Sequence, residues 1–300
     1  MRWKLYVMYM KTMFASFLGA VLLLCSSAAS AQFPTPNVTF RLWPNGAPTS
    51  NGLTGPENDL GLHVNNVTVP TLTVYVPKNP CGICVLDCPG GGYTDVWIGT
   101  EGHNLAQWFL DNGIVYAVLK YRLPNGHKEV PLDDVHEAMK ILKSHQQEYG
   151  FHLLGIQGCS AGGHLAAMTS THYTKPEERP DFTILYYPLV SFDPDHTHAA
   201  CRDNLLGKNP SRELADEYSN EKKVTKDTPP ALIFHCTDDG LVPVYQSIIY
   251  YQALVANGVP ASLHVYPSGG HGFCGNTSYV FGDQWRGEVI QWLKGFILKK

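Results

Sequence analysis

Charge is sparse in this sequence and nowhere gathered. Only 16% of the 300 residues are Asp, Glu, Lys or Arg, and the net charge is −4 with histidine neutral. With no basic stripe or patch, the electrostatic footprint expected for a nucleic-acid partner or an anionic membrane surface is lacking. Internal repeats are lacking too, which sets aside solenoids and propellers. No low-complexity stretch divides the chain into separate domains. The apolar run over residues 13–24 falls short of the ~20 residues that a membrane-spanning helix needs.

That run has another reading. Arg2, Lys4 and Lys11 precede it, small residues follow it, and Ala29-Ser30-Ala31 stands just before Gln32. A basic region, an apolar stretch and an A-x-A site make a cleavable secretory signal over residues 1–31. Lipid attachment at Cys25 is disfavoured by bulky Leu24 before it. The expectation is a secreted or periplasmic protein, cleaved after Ala31. Cleavage leaves 269 residues and moves the net charge to −7, because three basic groups and no acids depart. A chain of that length, 44% hydrophobic overall, makes one large domain or two small ones.

Cysteine is scarce and, after cleavage, odd in number. Cys81, Cys84, Cys88, Cys159, Cys201, Cys236 and Cys274 remain, so at least one thiol is unpaired, and the pairing of the others stays open. Cys81-x-x-Cys84 followed by Cys88 suggests a metal, but no second Cys/His pair follows at zinc spacing. Residues 84–88 also lie in an apolar strand pattern, so core packing is the expected role. Asn37-Val38-Thr39, Asn66-Val67-Thr68 and Asn276-Thr277-Ser278 are glycosylation sequons, meaningful only in a eukaryotic secretory pathway.

Residues 32–70 are irregular and rich in Pro, Gly and Asn, as an N-terminal wrap would be. Regular alternation then begins. Residues 71–76 alternate like a half-buried strand, and 83–87 form a continuous apolar run typical of a fully buried one. Further strands are expected at 114–119, 153–156, 182–187, 231–234 and 262–266. Helices are expected at 102–112, 131–149, from Ser160 onward, 244–256 and 284–298, with a short one near 212–218. Residues 188–230 are otherwise loop-rich and form a small cap-like insertion. Strands alternating with helices predict an α/β fold: one mostly parallel central sheet with helices on both faces. Such sheets place function in loops at the carboxyl ends of their strands.

One of those loops is Gly158-Cys159-Ser160-Ala161-Gly162, a G-x-S-x-G pentapeptide directly after a strand pattern. Lifting a serine hydroxyl clear of a sheet needs a sharp strand-to-helix turn, where side chains two residues either side of the serine would collide. The same turn sets Ala161 N–H at a helix N-terminus, facing any developing oxyanion. After the buried strand come Gly90, Gly91 and Gly92, whose backbone can approach a ligand closely. The N–H of Gly90 or Gly91 is the candidate to complete an oxyanion hole with Ala161. Asp238 and Asp239 follow the strand at 231–234, and either could orient a histidine. His271 stands among glycines after the last strand, freely placed on a turn. Ser, then Asp, then His is the order expected of an α/β-hydrolase.

The chain resembles the acetylxylan-esterase-like carbohydrate esterases within the hormone-sensitive-lipase-type α/β-hydrolases. The resemblance is carried by Asn66 to Leu72, Cys88-Pro89-Gly90-Gly91-Gly92-Tyr93, Glu101-Gly102, Leu119 to Pro124 and Gly158 to Leu165. Pro229-Pro230, Asp238-Asp239-Gly240-Leu241-Val242-Pro243 and Gly270-His271-Gly272-Phe273 continue it. Pro89 stands where many lipases carry histidine, and Cys159 replaces the commoner residue before the nucleophile. The resemblance implies a triad of Ser160, His271 and Asp238, since the first Asp of a D-D-x-x-V-P loop is the usual member. Relatives with a single Asp would align by spacing on Asp239. It implies deacetylation of plant-type polysaccharide, acetylxylan or a related hemicellulose, with no metal or organic cofactor. Tyr93 and Trp97 are candidates to stack on sugar rings, while Trp108 reads as core. The alternatives are a feruloyl or general carboxylesterase, a prolyl-oligopeptidase-type peptidase, and a non-catalytic sugar-binding protein.

Overall fold

The computed structural model describes residues 33–299, so the signal segment expected over 1–31 lies outside the described residues. The strands are β1 (Val38–Arg41), β2 (Asn58–Asp59), β3 (Val64–Asn65), β4 (Thr71–Tyr75), β5 (Gly82–Cys88), β6 (Asp95–Val96), β7 (Val115–Lys120), β8 (Phe151–Cys159), β9 (Thr183–Tyr186), β10 (Ala231–Cys236) and β11 (Ala261–Tyr266). The α-helices are α1 (Ala106–Asp111), α2 (Glu129–Ser144), α3 (Gln146–Tyr149), α4 (Ser160–Thr171), α5 (Ala199–Leu206), α6 (Arg212–Glu217), α7 (Tyr245–Ala256) and α8 (Gly282–Gly295). Eight strands make one sheet in the order β1-β4-β7-β5-β8-β9-β10-β11, parallel from β7 to β11 and antiparallel at β1 and β4. Among the described residues no helix is long and apolar enough to cross a membrane.

Strand side chains alternate between two cores, which is why the central strands read as unbroken apolar runs. In β5, Cys84, Leu86 and Cys88 point into one core while Ile83 and Val85 point into the other. The first core is closed by α2, α4 and α7 through residues such as Val135, Leu165 and Leu254. The second is closed by α1 and α8 through Phe109 and Trp285.

Several elements depart from the sequence expectation. Residues 32–70 are not wholly irregular, because β1 pairs with β4 as an antiparallel edge. β4 is buried from Leu72 to Tyr75 rather than alternating, since Leu72 and Val74 enter one core and Tyr75 the other. The helix expected at 102–112 is broken into a π-turn (Ile98–Gly102), a 3-10 turn (His103–Leu105) and α1. Gly102 lies hard against the sheet there, where a Cβ would come within 2.6 Å of Val118 Cγ1. The helix expected at 131–149 starts two residues before Pro131 and breaks at His145. Helix α5 was not legible at all; it sits in the 188–230 interval, its first turn capped by His198, which accepts from Cys201 N–H at 3.1 Å.

Chain direction positions the site. From β5 the chain crosses to β7 on one side, then returns past β5 to β8 and continues outward to β11. The strand order therefore reverses between β5 and β8, and a crevice opens beyond their carboxyl ends. The loops after β5, β8, β10 and β11 all emerge at that end.

Candidate active site

Ser160 opens α4 immediately after β8 and takes a left-handed backbone conformation, φ +54°. A non-glycine residue there stores strain that the surrounding turn must hold. The turn is tight enough to forbid side chains on either flank. A Cβ on Gly158 would lie 2.1 Å from the Gly162 carbonyl oxygen, and one on Gly162 would lie 1.9 Å from the Cys88 carbonyl oxygen. The two glycines thus let the serine turn pack directly onto the end of β5.

The serine meets the histidine loop. His271 Nε2 is 2.8 Å from Ser160 Oγ, and His271 Nδ1 is 2.7 Å from Asp239 Oδ2. A carboxylate only accepts, so Nδ1 carries the proton and Nε2 is left to accept from the serine hydroxyl. The acid is therefore Asp239, and the expectation of Asp238 is corrected. Asp238 is exposed and turned the other way, accepting from Gly269 N–H and Gly270 N–H at 3.2 and 2.8 Å. It shapes the histidine loop through its backbone, while Asp239 turns inward to the ring.

Asp239 is fully engaged. Its Oδ1 accepts from Leu241 N–H and Val242 N–H, both at 2.9 Å. Its Oδ2 is also 3.3 Å from Nε2 of His235, a wholly buried histidine. That nitrogen donates to the Val242 carbonyl at 2.9 Å, and His235 Nδ1 pairs with the Ser247 hydroxyl at 2.7 Å. Burial pushes the Asp239 carboxyl up, but the hydrogen bonds from His235, His271 and Val242 N–H outweigh it and hold the group well below the usual carboxylate range. His235 is a partner that sequence reasoning missed, because its position inside a buried strand looks like core.

The glycine loop differs in one respect from expectation. Gly90 N–H donates to Glu101 Oε2 at 2.7 Å, so it is not available to an oxyanion, and that assignment is corrected. Gly91, at φ +131°, comes so close to Asp95 that a Cβ would sit 2.2 Å from its carbonyl oxygen. Among the described residues, Gly91 N–H and Ala161 N–H have no hydrogen-bond partner. Ala161 lies in the first turn of α4, where N–H groups have no partner within the helix. Glu101 is buried beneath this loop, its Oε1 accepting from the Tyr187 hydroxyl at 3.0 Å. Burial pushes its carboxyl above the ordinary range in spite of those two donors. Nothing in the sequence around Glu101 signals a buried acid.

A pocket of ≈ 580 Å³ opens over Ser160 and His271, with Gly91, Glu101, Leu189 and Val242 in its wall. Trp97 lines it, is 38% exposed, and stacks on His63 with ring centroids 4.4 Å apart and planes 18° from parallel. Tyr93 does not line it. With φ +61° its side chain turns under the loop, 2% exposed, and its hydroxyl pairs with His164 Nδ1 at 3.0 Å. A sugar-stacking role for Tyr93 is therefore withdrawn. Trp108 packs edge-on against Trp285, as expected of a core residue. From the 188–230 interval, His198 and Cys201 reach the pocket wall.

Hydroxyl, imidazole and buried carboxylate joined in line at the switch point of a parallel sheet define the α/β-hydrolase class. The chain belongs to the alpha/beta hydrolase fold family, whose model matches residues 89–275 and so contains all three groups. Within that class it is acetylxylan-esterase-like. It is 38% identical over 229 residues to the acetylxylan esterase of Xylanibacter ruminicola, covering 74% of this chain and 48% of that protein. It is 32% identical over 234 residues to the endo-1,4-beta-xylanase B of Butyrivibrio fibrisolvens, covering 72% of this chain and 36% of that one. The chain thus spans half or less of these two relatives. Among solved structures it is similar to the acetyl ester-xyloside bifunctional hydrolase of Caldicellulosiruptor lactoaceticus, with TM-score 0.72 and 31% identity. That match covers 87% of this chain and 96% of that one.

Proposed function

We propose that the protein is a serine carbohydrate esterase that removes acetyl groups from xylan or a related plant hemicellulose, exported after loss of residues 1–31. The observation that carries the reading is the continuous hydrogen-bonded line from Ser160 through His271 to Asp239. As Ser160 Oγ attacks the ester carbonyl, His271 Nε2 takes its proton. Asp239 holds the ring in the required tautomer and stabilises its charged form. The N–H groups of Gly91 and Ala161 receive the developing oxyanion, each donor contributing on the order of 3 kcal/mol in the transition state. His271 then protonates the departing sugar oxygen. Water, activated by the same imidazole, attacks the acetyl-serine and releases acetate.

The substrate side of the proposal rests on the relatives and on the pocket mouth. Two of those relatives carry xylan in their names and the solved neighbour carries acetyl ester and xyloside. Trp97, stacked on His63, offers an apolar platform of the kind sugar rings stack on, in the wall of the pocket that opens over Ser160. The test is acetate release from acetylated xylan, compared with hydrolysis of methyl ferulate, octanoyl esters and a proline-containing peptide. Preferential acetate release is expected. Rates that rise with acyl length, with no acetate from the polymer, would move the protein to the general carboxylesterases.

A further inference from the structure

The nucleophile turn and the histidine loop touch at two sulfurs. Cys159 ends β8 one residue before Ser160, and Cys274 lies in the 3-10 turn Phe273–Gly275, three residues after His271. Both are buried, and their Sγ atoms are 2.9 Å apart. No other cysteine pair makes such a contact among the described residues. Less than an ångström of movement would bring these sulfurs to the ~2.05 Å of a bond. We propose that Cys159 and Cys274 form a disulfide that ties the Ser160 turn to the His271 loop.

The loop is where a cross-link does most. Gly269, Gly270 and Gly272 all take positive φ, 142°, 61° and 88°, so the segment around His271 is costly to order. Besides the Asp238 carboxylate on Gly269 N–H and Gly270 N–H, few polar contacts fix its backbone. A bond at Cys274 anchors its far end to the residue beside the nucleophile. It also closes a chain segment of 115 residues, which restricts the unfolded ensemble strongly. Oxidation removes the thiol proton that Cys274 can give to the Tyr187 hydroxyl, but that hydroxyl's own proton still goes to Glu101, whose carboxylate keeps both its donors.

The chemistry balances with a disulfide as oxidant. One thiolate attacks the external disulfide and forms a mixed disulfide, and the second thiolate displaces the remaining external thiol. The two cysteines lose two protons and two electrons, one S–S bond forms, and the external disulfide becomes two thiols. Burial raises both thiols in the folded protein and removes them from reagents, so the exchange belongs to folding. A metal is the competing use of these sulfurs, since a Glu101 carboxylate oxygen lies with them inside 4.8 Å. Both Glu101 oxygens, however, already accept hydrogen bonds from Gly90 and Tyr187.

This inference does not depend on the substrate. The full chain is refolded in a buffer of reduced and oxidised glutathione, alkylated in denaturant without reductant, digested and mapped by mass spectrometry. A single linked peptide joining Cys159 to Cys274 is expected. The oxidised protein should also melt about 5–10 °C above the reduced one, a difference that disappears in Cys274→Ser. Alkylation in denaturant of both cysteines of the oxidatively refolded protein, a link from either to another cysteine, or a stoichiometric metal released on thiol modification would overturn the proposal. Should Cys274→Ser not fold, the wild-type peptide map alone decides.

Discussion

Replacing Asp239 by asparagine makes the sharpest use of the site's geometry. Oδ1 of this residue accepts two backbone N–H groups, from Leu241 and Val242. An asparagine in the same place must keep its carbonyl oxygen there, because its NH₂ would set donor against donor. The NH₂ then faces His271 Nδ1 and His235 Nε2, both of which donate in the native site. His271 can pair with it only by moving its own proton to Nε2, the atom that must take the serine proton. The wrong tautomer costs about 10⁴-fold in a comparable triad, equivalent to ~5.4 kcal/mol of transition-state stabilisation. Asp238→Asn removes at most one of two backbone contacts at an exposed loop, ~1 kcal/mol, so turnover should fall less than tenfold. Measuring kcat/KM on 4-nitrophenyl acetate with both variants, checked for native circular dichroism, separates them. An Asp238→Asn lesion as severe as Asp239→Asn would refute the reasoning.

Other outcomes follow from the same contacts. Ser160→Ala and His271→Ala should each lower kcat at least ~10³-fold while retaining the fold, as a melting curve beside the rate assay would show. Gly162→Ala should destabilise the protein by about 3 kcal/mol or more, since its Cβ would sit 1.9 Å from a backbone oxygen; denaturant unfolding reads this directly. Glu101 has a raised carboxyl, so its neutral form favours the fold. Its contribution is fully present below the unfolded carboxylate range and is lost as pH rises through the raised value. Glu101→Gln should therefore flatten that part of the pH–stability curve, measured as melting temperature against pH. Trp97→Ala should raise KM for acetylated xylo-oligosaccharides while leaving 4-nitrophenyl acetate turnover within about twofold.

What was legible in the sequence was whatever sterics and periodicity impose locally. A serine turn packed onto a neighbouring strand tolerates no side chain at positions 158 and 162, so the glycines announce it. Strands buried on both faces announce themselves as apolar runs. The identity of the acid was not legible, because Asp238 and Asp239 are equally good turn residues. Only the path of the chain after β10 decides which one turns inward. Tyr93 follows the glycine loop in sequence, yet a positive φ sends its ring under the loop to His164. Glu101 sits just before the helix expected at 102–112, and its burial follows from a π-turn that no composition signal marks. His235 and the Cys159–Cys274 contact depend on elements far apart in the chain, 115 residues for the sulfurs.

The central claim is that Ser160 is the nucleophile, driven by His271. A fluorophosphonate that reacts only with activated serines, followed by peptide mapping, tests it most directly. The account predicts one covalent adduct per chain, on Ser160, absent from Ser160→Ala and formed at least ~10³-fold more slowly in His271→Ala. An adduct on another residue, or full esterase turnover by protein that takes up no label, would contradict it.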